Sequence, residues 1–116
     1  MTSPIHADLA AGRWQEFSLN EQLGNIGSEV GRALRARAQG NEERLRGALD
    51  RALELFDLTI ADPKHRGPRL REICRAREVV CDFFFGENEY GSTAASLDRY
   101  FTAFGLAARQ SLLLEL

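Results

Sequence analysis

The chain has 116 residues, 44% of them hydrophobic and 28% charged, with a formal net charge of −2. That is enough chain for one domain with a single core, and the composition excludes wholesale disorder. No apolar run approaches the roughly 20 residues that a membrane-spanning helix requires. The first residues, Met1-Thr2-Ser3-Pro4-Ile5-His6-Ala7-Asp8, lack the basic-then-apolar layout of a secretory leader, so the cytoplasm is the expected address.

Residues 1–17 read as a lead-in, with a short helix expected around Asp8–Gly12 and with Trp14 and Phe17 pinning the segment to the main body. Residues 18–116 read as one helical bundle domain. Ser18-Leu19-Asn20-Glu21 is a capping box: the serine oxygen accepts from the third helical amide and Glu21 reaches back. A long helix to about Gln39 follows, with Leu19, Leu23, Ile26, Val30, Ala33 and Arg37 at the three-and-four spacing of a buried stripe.

Gly40-Asn41 stops this helix and caps a second, from about Glu42 to Ala61, whose inner face is Leu45, Leu49, Ala52, Phe56, Thr59 and Ile60. Asp62-Pro63 ends it, because the residue before proline is pushed out of helical geometry. Lys64-His65-Arg66-Gly67 reads as a loop, and Pro68 suits the first turn of a third helix, which turns Leu70, Ile73, Val80, Cys81 and Phe84 inward and breaks near Gly86. Ser92 is the expected cap of a fourth helix that buries Leu97, Phe101, Phe104, Ala108 and Ser111. With no alternating strand pattern and short connections, the expected fold is all-α, an up-down-up-down four-helix bundle.

Several residues do not suit a plain core. Gly24, Gly27 and Gly31 lie inside the first helix, each costing on the order of 1 kcal/mol relative to alanine. They flank the apolar stripe, which implies close backbone approach inside the bundle, a self-association face or a groove for a ligand. Arg77 stands amid the third helix's apolar face and requires a carboxylate or several carbonyls, with Glu29 or a neighbouring subunit's Glu78 or Asp82 as candidates. The alternative is an arginine poised for an anionic ligand such as phosphate. A polar line of Gln22, Asn25, Glu29 and Arg32 borders the first helix's stripe and, with Arg77, forms a candidate ligand pocket, against the plainer reading of a solvated flank. Leu106 and Leu113, seven apart, lie opposite the fourth helix's core face and point to a partner, a second copy of the chain being preferred.

Charge is unevenly spread. Residues 32–77 hold twelve of the fifteen basic and seven of the seventeen acidic residues. Arg66, Arg69, Arg71 and Arg75 form a candidate basic face for nucleic acid or a phosphorylated ligand, a partner that the net negative charge disfavours. Cys74 and Cys81 are too far apart along one helix for a disulfide and read as two buried thiols.

No catalytic constellation, metal site or cofactor motif emerges. The histidines His6 and His65 are solitary, no Glu-x-x-His pair of the di-iron kind occurs, and Glu54 and Asp57 point mostly outward from the second helix. Metal-dependent nucleotide hydrolysis is disfavoured, and nucleophile–base chemistry more so, since neither histidine stands on a helix face that meets a serine or cysteine.

The run Trp14-x-x-x-Ser18-Leu19-x-Glu21-Gln22-Leu23-x-Asn25-Ile26-Gly27-Ser28-Glu29-Val30-x-Arg32 resembles one found in small prokaryotic helical proteins. Arg51-Ala52-Leu53-Glu54-Leu55-Phe56-Asp57-Leu58-Thr59-Ile60 and Arg77-Glu78-Val79-Val80-Cys81-Asp82-Phe83-Phe84 resemble the same group, so the likeness covers about residues 14–109. That group brings no settled function. In size and helix plan the chain is also similar to HEPN proteins and to the four-helix proteins encoded in ribosomal-RNA intervening sequences. HEPN ribonucleases place a histidine shortly after an arginine, and neither histidine here follows one at that spacing. The resemblance therefore implies a partner-binding rather than a nucleolytic role. The expected function is a non-enzymatic, self-associating interaction protein, antitoxin-like or accessory to a protein partner.

Overall fold

A computed structural model describes residues 6–7 and 12–114. Among them are four α-helices and no strand: α1 (Leu19–Ala38), α2 (Glu42–Ile60), α3 (Pro68–Phe85) and α4 (Ala94–Leu114). A single 3-10 turn, Arg13–Glu16, precedes them. The fold is an all-α, up-down-up-down bundle. Most of the helix anticipated around Asp8–Gly12 lies outside the described residues.

Local chemistry sets the ends. Ser18 and Glu21 form the capping box in full. At the other end of α1, Gly40 takes the left-handed conformation, with φ of 69°. Its amide donates to the Arg37 carbonyl and the Asn41 amide to that of Ala36, so two orphan carbonyls are satisfied in one tight turn. Asn41 then caps α2 by accepting from the Arg44 amide. The last cap departs from expectation. Thr93, not Ser92, caps α4, exchanging bonds with Ser96, while Ser92 is held in the preceding loop by Asn88.

α1 lies between α2 and α4, while α3 packs chiefly on α2. One core joins all four helices and Trp14: Leu23, Ile26 and Val30 from α1, Leu55 and Phe56 from α2, Ile73 and Val80 from α3, and Phe101 from α4. Gly24 faces Gly105 and Gly27 faces Phe101, so α1 and α4 run antiparallel with their backbones in close approach.

Four positions expected in the core differ. Arg37 is exposed, its guanidinium resting over the Phe83 ring at 4.9 Å. A charged end can cover an aromatic face while remaining in water. Ser111 is exposed, as are its described neighbours from Arg109 to Leu114. Cys74 and Cys81 are half-buried and free rather than fully enclosed.

Candidate functional site

The expected pocket of Gln22, Asn25, Glu29, Arg32 and Arg77 does not assemble as one unit. These residues divide among two polar clusters and the surface. Asn25 is exposed. Arg77 is half-exposed and donates from Nε to Asp57 at 3.1 Å, so its carboxylate partner within the chain is Asp57 rather than Glu29. The reason is geometric: α3 packs on α2, and Asp57 projects from α2 toward it. The nearby Cys81 thiol is pushed up by burial, against the downward pull of Arg77.

Gln22 belongs to a buried network under the lead-in. Its Nε2 donates to the Trp14 carbonyl at 3.0 Å and to the Asp62 carboxylate at 2.9 Å. Both are acceptors, so the amide can face them only with its nitrogen, and Oε1 must face His65, 2.6 Å away. The proton of His65 therefore sits on Nε2. Its Nδ1 is buried and has no hydrogen-bond partner among the described residues. Trp14 Nε1 donates to the Thr59 hydroxyl at 2.9 Å, which itself donates to the Leu55 carbonyl. Lys64 closes the network, bonding Asp62 and the Gln15 carbonyl.

Electrostatics follow from this arrangement. Burial works to raise the Asp62 carboxyl, but hydrogen bonds from Lys64 and Gln22 outweigh it and hold the group below its ordinary value. Burial pushes His65 down; Asp62 opposes this, while Lys64 and Arg69 add to it. The network is a staple. It joins the lead-in, α1 and the α2–α3 connection, and its one imidazole is sealed from solvent.

Glu29 and Arg32 stand in a second cluster. Glu29, 9% exposed, accepts from Arg32 Nη1 at 2.7 Å with one oxygen and from Arg51 Nε at 3.0 Å with the other. Beside it, between α1 and α2, lies a hollow of about 920 Å³ lined by Arg32, Arg35, Arg44 and Arg51 together with Gln39 and Glu43. Of these arginines only Arg32 was singled out from the sequence. A smaller hollow of about 390 Å³ lies between α1 and α4 over Gly24, Gly27, Gly31 and Gly105, and Arg32, Arg35, Leu106 and Arg109 also line it.

The remaining candidates are surface features. Arg66, Arg69, Arg71 and Arg75 are all exposed. Arg66 bonds the Pro63 carbonyl and Arg75 lies over Tyr90. Gly24 and Gly27 are filled against α4, whereas a side chain at Gly31 would meet only the end of Arg35. Leu106 and Leu113 are exposed by 52% and 69%. Glu54, expected to face outward, is half-buried and pairs with His6 Nδ1 at 3.0 Å. Among the described residues no three metal-ligating side chains stand together, and no helix is long and apolar enough to cross a membrane.

No family model, curated protein or solved structure matches the chain.

Proposed function

We propose that this protein is a non-enzymatic interaction module that associates with copies of itself through the C-terminal half of α4. One observation carries the reading. Of the six large hydrophobic residues exposed among the described ones, four (Leu106, Leu112, Leu113 and Leu114) fall on that half-helix. Each leucine left in water forgoes roughly 1.5–3 kcal/mol relative to burial. The side of α4 opposite Leu106 and Leu113 is already occupied in the earlier turns, with Leu97 and Phe101 in the core and Gly105 against Gly24. Leu112 continues that side past the packed turns. A second copy would cover the leucines symmetrically, as closed homo-oligomers do.

A binding rather than chemical role also suits the two histidines. His65 is enclosed and hydrogen-bonded to Gln22, and His6 is paired with Glu54. Neither offers a free base at a surface hollow. Gel filtration of the wild type against a Leu106→Lys/Leu113→Lys variant tests the reading: the wild type should elute as an oligomer and the variant as a smaller species. A wild type that elutes as a single chain at high micromolar concentration contradicts it.

A further inference from the structure

We infer that the hollow between α1 and α2 is a binding site for a ligand carrying adjacent phosphoryl groups, held by Arg32, Arg35, Arg44 and Arg51. Four guanidiniums line one concavity, with Glu43 as the carboxylate on its wall and Glu29 beneath. Glu29 uses both oxygens, one for Arg32 and one for Arg51. It thereby fixes two forks, whose remaining N–H groups are available to an incoming anion. Arg32 and Arg51 keep 56% and 38% of their side-chain surface exposed, so the pair is oriented but not sealed.

Arg35 and Arg44 make the stronger point. Among the described residues neither side chain has an ion-pair or hydrogen-bond partner. Arg35 lies in the last turn of α1, where a cation suits the helix dipole. Arg44 lies in the first turn of α2, where a cation opposes it. Arg35 stands on the edge that this hollow shares with the one between α1 and α4, and Arg44 on its far wall. Two guanidiniums without a counter-ion thus flank a pair that shares a single carboxylate, a grouping that attracts an anion.

Two interior glycines suit the same purpose. A Cβ at Gly31 would stand 3.4 Å from Arg35 Nη1, and one at Gly47 would stand 3.3 Å from Arg51 Nη1. Helical side chains lean toward the N-terminus, so each arginine folds back over the glycine four residues before it. Each guanidinium thus keeps one nitrogen close to its own helix, and that of Arg51 also reaches Glu29 of α1. The volume of about 920 Å³ exceeds what one phosphate needs and suits a nucleotide or a short stretch of nucleic-acid backbone.

The test uses two probes on the whole chain: tripolyphosphate, and a fluorescently labelled single-stranded RNA oligonucleotide titrated over a range of salt. Both should bind at low salt, with affinity for the RNA falling by a slope of about 0.7 per phosphate contact. Arg35→Glu/Arg44→Glu, both exposed positions, should weaken binding by tenfold or more, while Arg71→Glu/Arg75→Glu should leave it unchanged. Binding of the RNA alone identifies a nucleic-acid backbone as the ligand; binding of tripolyphosphate with the same arginine dependence identifies a nucleotide or other small oligophosphate. If the double variant misfolds, the arginine Nε–H resonances of the wild type decide, since those of Arg32 and Arg51 should shift on adding tripolyphosphate. Failure of both probes to bind, or loss of binding through Arg71 and Arg75 instead, overturns the inference.

Discussion

Gly27 of α1 and Phe101 of α4 share one volume: the Cβ that any other residue would carry at position 27 points into the Cβ of Phe101. That contact, with the approach of Gly24 to Gly105, fixes how α4 lies on α1 and therefore which side of α4 is left outside. Gly31, one turn further on, has no such neighbour. Its missing side chain faces only the flexible end of Arg35.

The two glycines should accordingly respond in opposite directions to alanine. Gly27→Ala forces α4 outward and should destabilise by about 1–3 kcal/mol, since overpacking outweighs the gain in helix propensity. Gly31→Ala should stabilise by about 0.5–1 kcal/mol. Urea denaturation of both variants checks the contrast, and equal effects would mean that α4 does not rest on Gly27.

The buried network predicts a specific acid sensitivity. His65 is held below its ordinary pKa of 6.5, so the unfolded chain takes up a proton before the folded one does. Stability is therefore full above about pH 6.5 and falls as pH drops through that value toward the lower folded-state pKa, by up to about 1.4 kcal/mol per pH unit. Asp62, also depressed, adds a further loss, which begins below its unfolded value of 3.8. Thermal melting of the wild type and of His65→Gln between pH 7 and pH 5 should show the first slope only in the wild type.

Gln22 is the keystone of that network. Replacing it with leucine strips a donor from Asp62 and the Trp14 carbonyl and an acceptor from His65. Asp62 keeps its bonds from Lys64 and the Trp14 carbonyl that from the Phe17 amide, so the His65 Nε2–H is the group left unsatisfied. The variant should therefore lose about 1–3 kcal/mol. Thr59→Val removes the acceptor for Trp14 Nε1 alone and should cost about 1–2 kcal/mol. Guanidinium melts followed by tryptophan fluorescence report both, because Trp14 is the chain's one tryptophan.

Arg77 gives the opposite expectation from a buried charge. Its bond to Asp57, whose side chain is 63% exposed, is a surface pair of roughly 0–1 kcal/mol. Arg77→Met should therefore change stability by less than about 1 kcal/mol. A loss of several kcal/mol would show that the guanidinium is enclosed after all.

The helices were legible in the sequence because their signals are local: the Ser18–Glu21 box, the glycine stop at 40 and proline at 68 each act within a few residues. The buried staple was not, because it joins residues some forty positions apart, and Asp62 and His65 read as loop punctuation. One signal was present. Gln22, Ile26, Glu29, Ala33 and Ala36 repeat at four-and-three spacing, and all five are buried. That row placed Gln22 and Glu29 in the interior rather than on a solvated flank. Arg77 misled because a side chain at the edge of a stripe can reach an acid on the next helix. The arginine-lined hollow needed two helices brought together, although the paired spacing Gly31–Arg35 and Gly47–Arg51 is visible in the chain.

Sedimentation equilibrium across micromolar concentrations tests self-association through α4 most directly. The wild type should show a mass that is a whole multiple of one chain, and Leu106→Lys/Leu113→Lys should shift that mass toward a single chain without loss of helical circular dichroism. A wild type that keeps the single-chain mass at every concentration, or a variant that assembles as well as the wild type, would contradict the account.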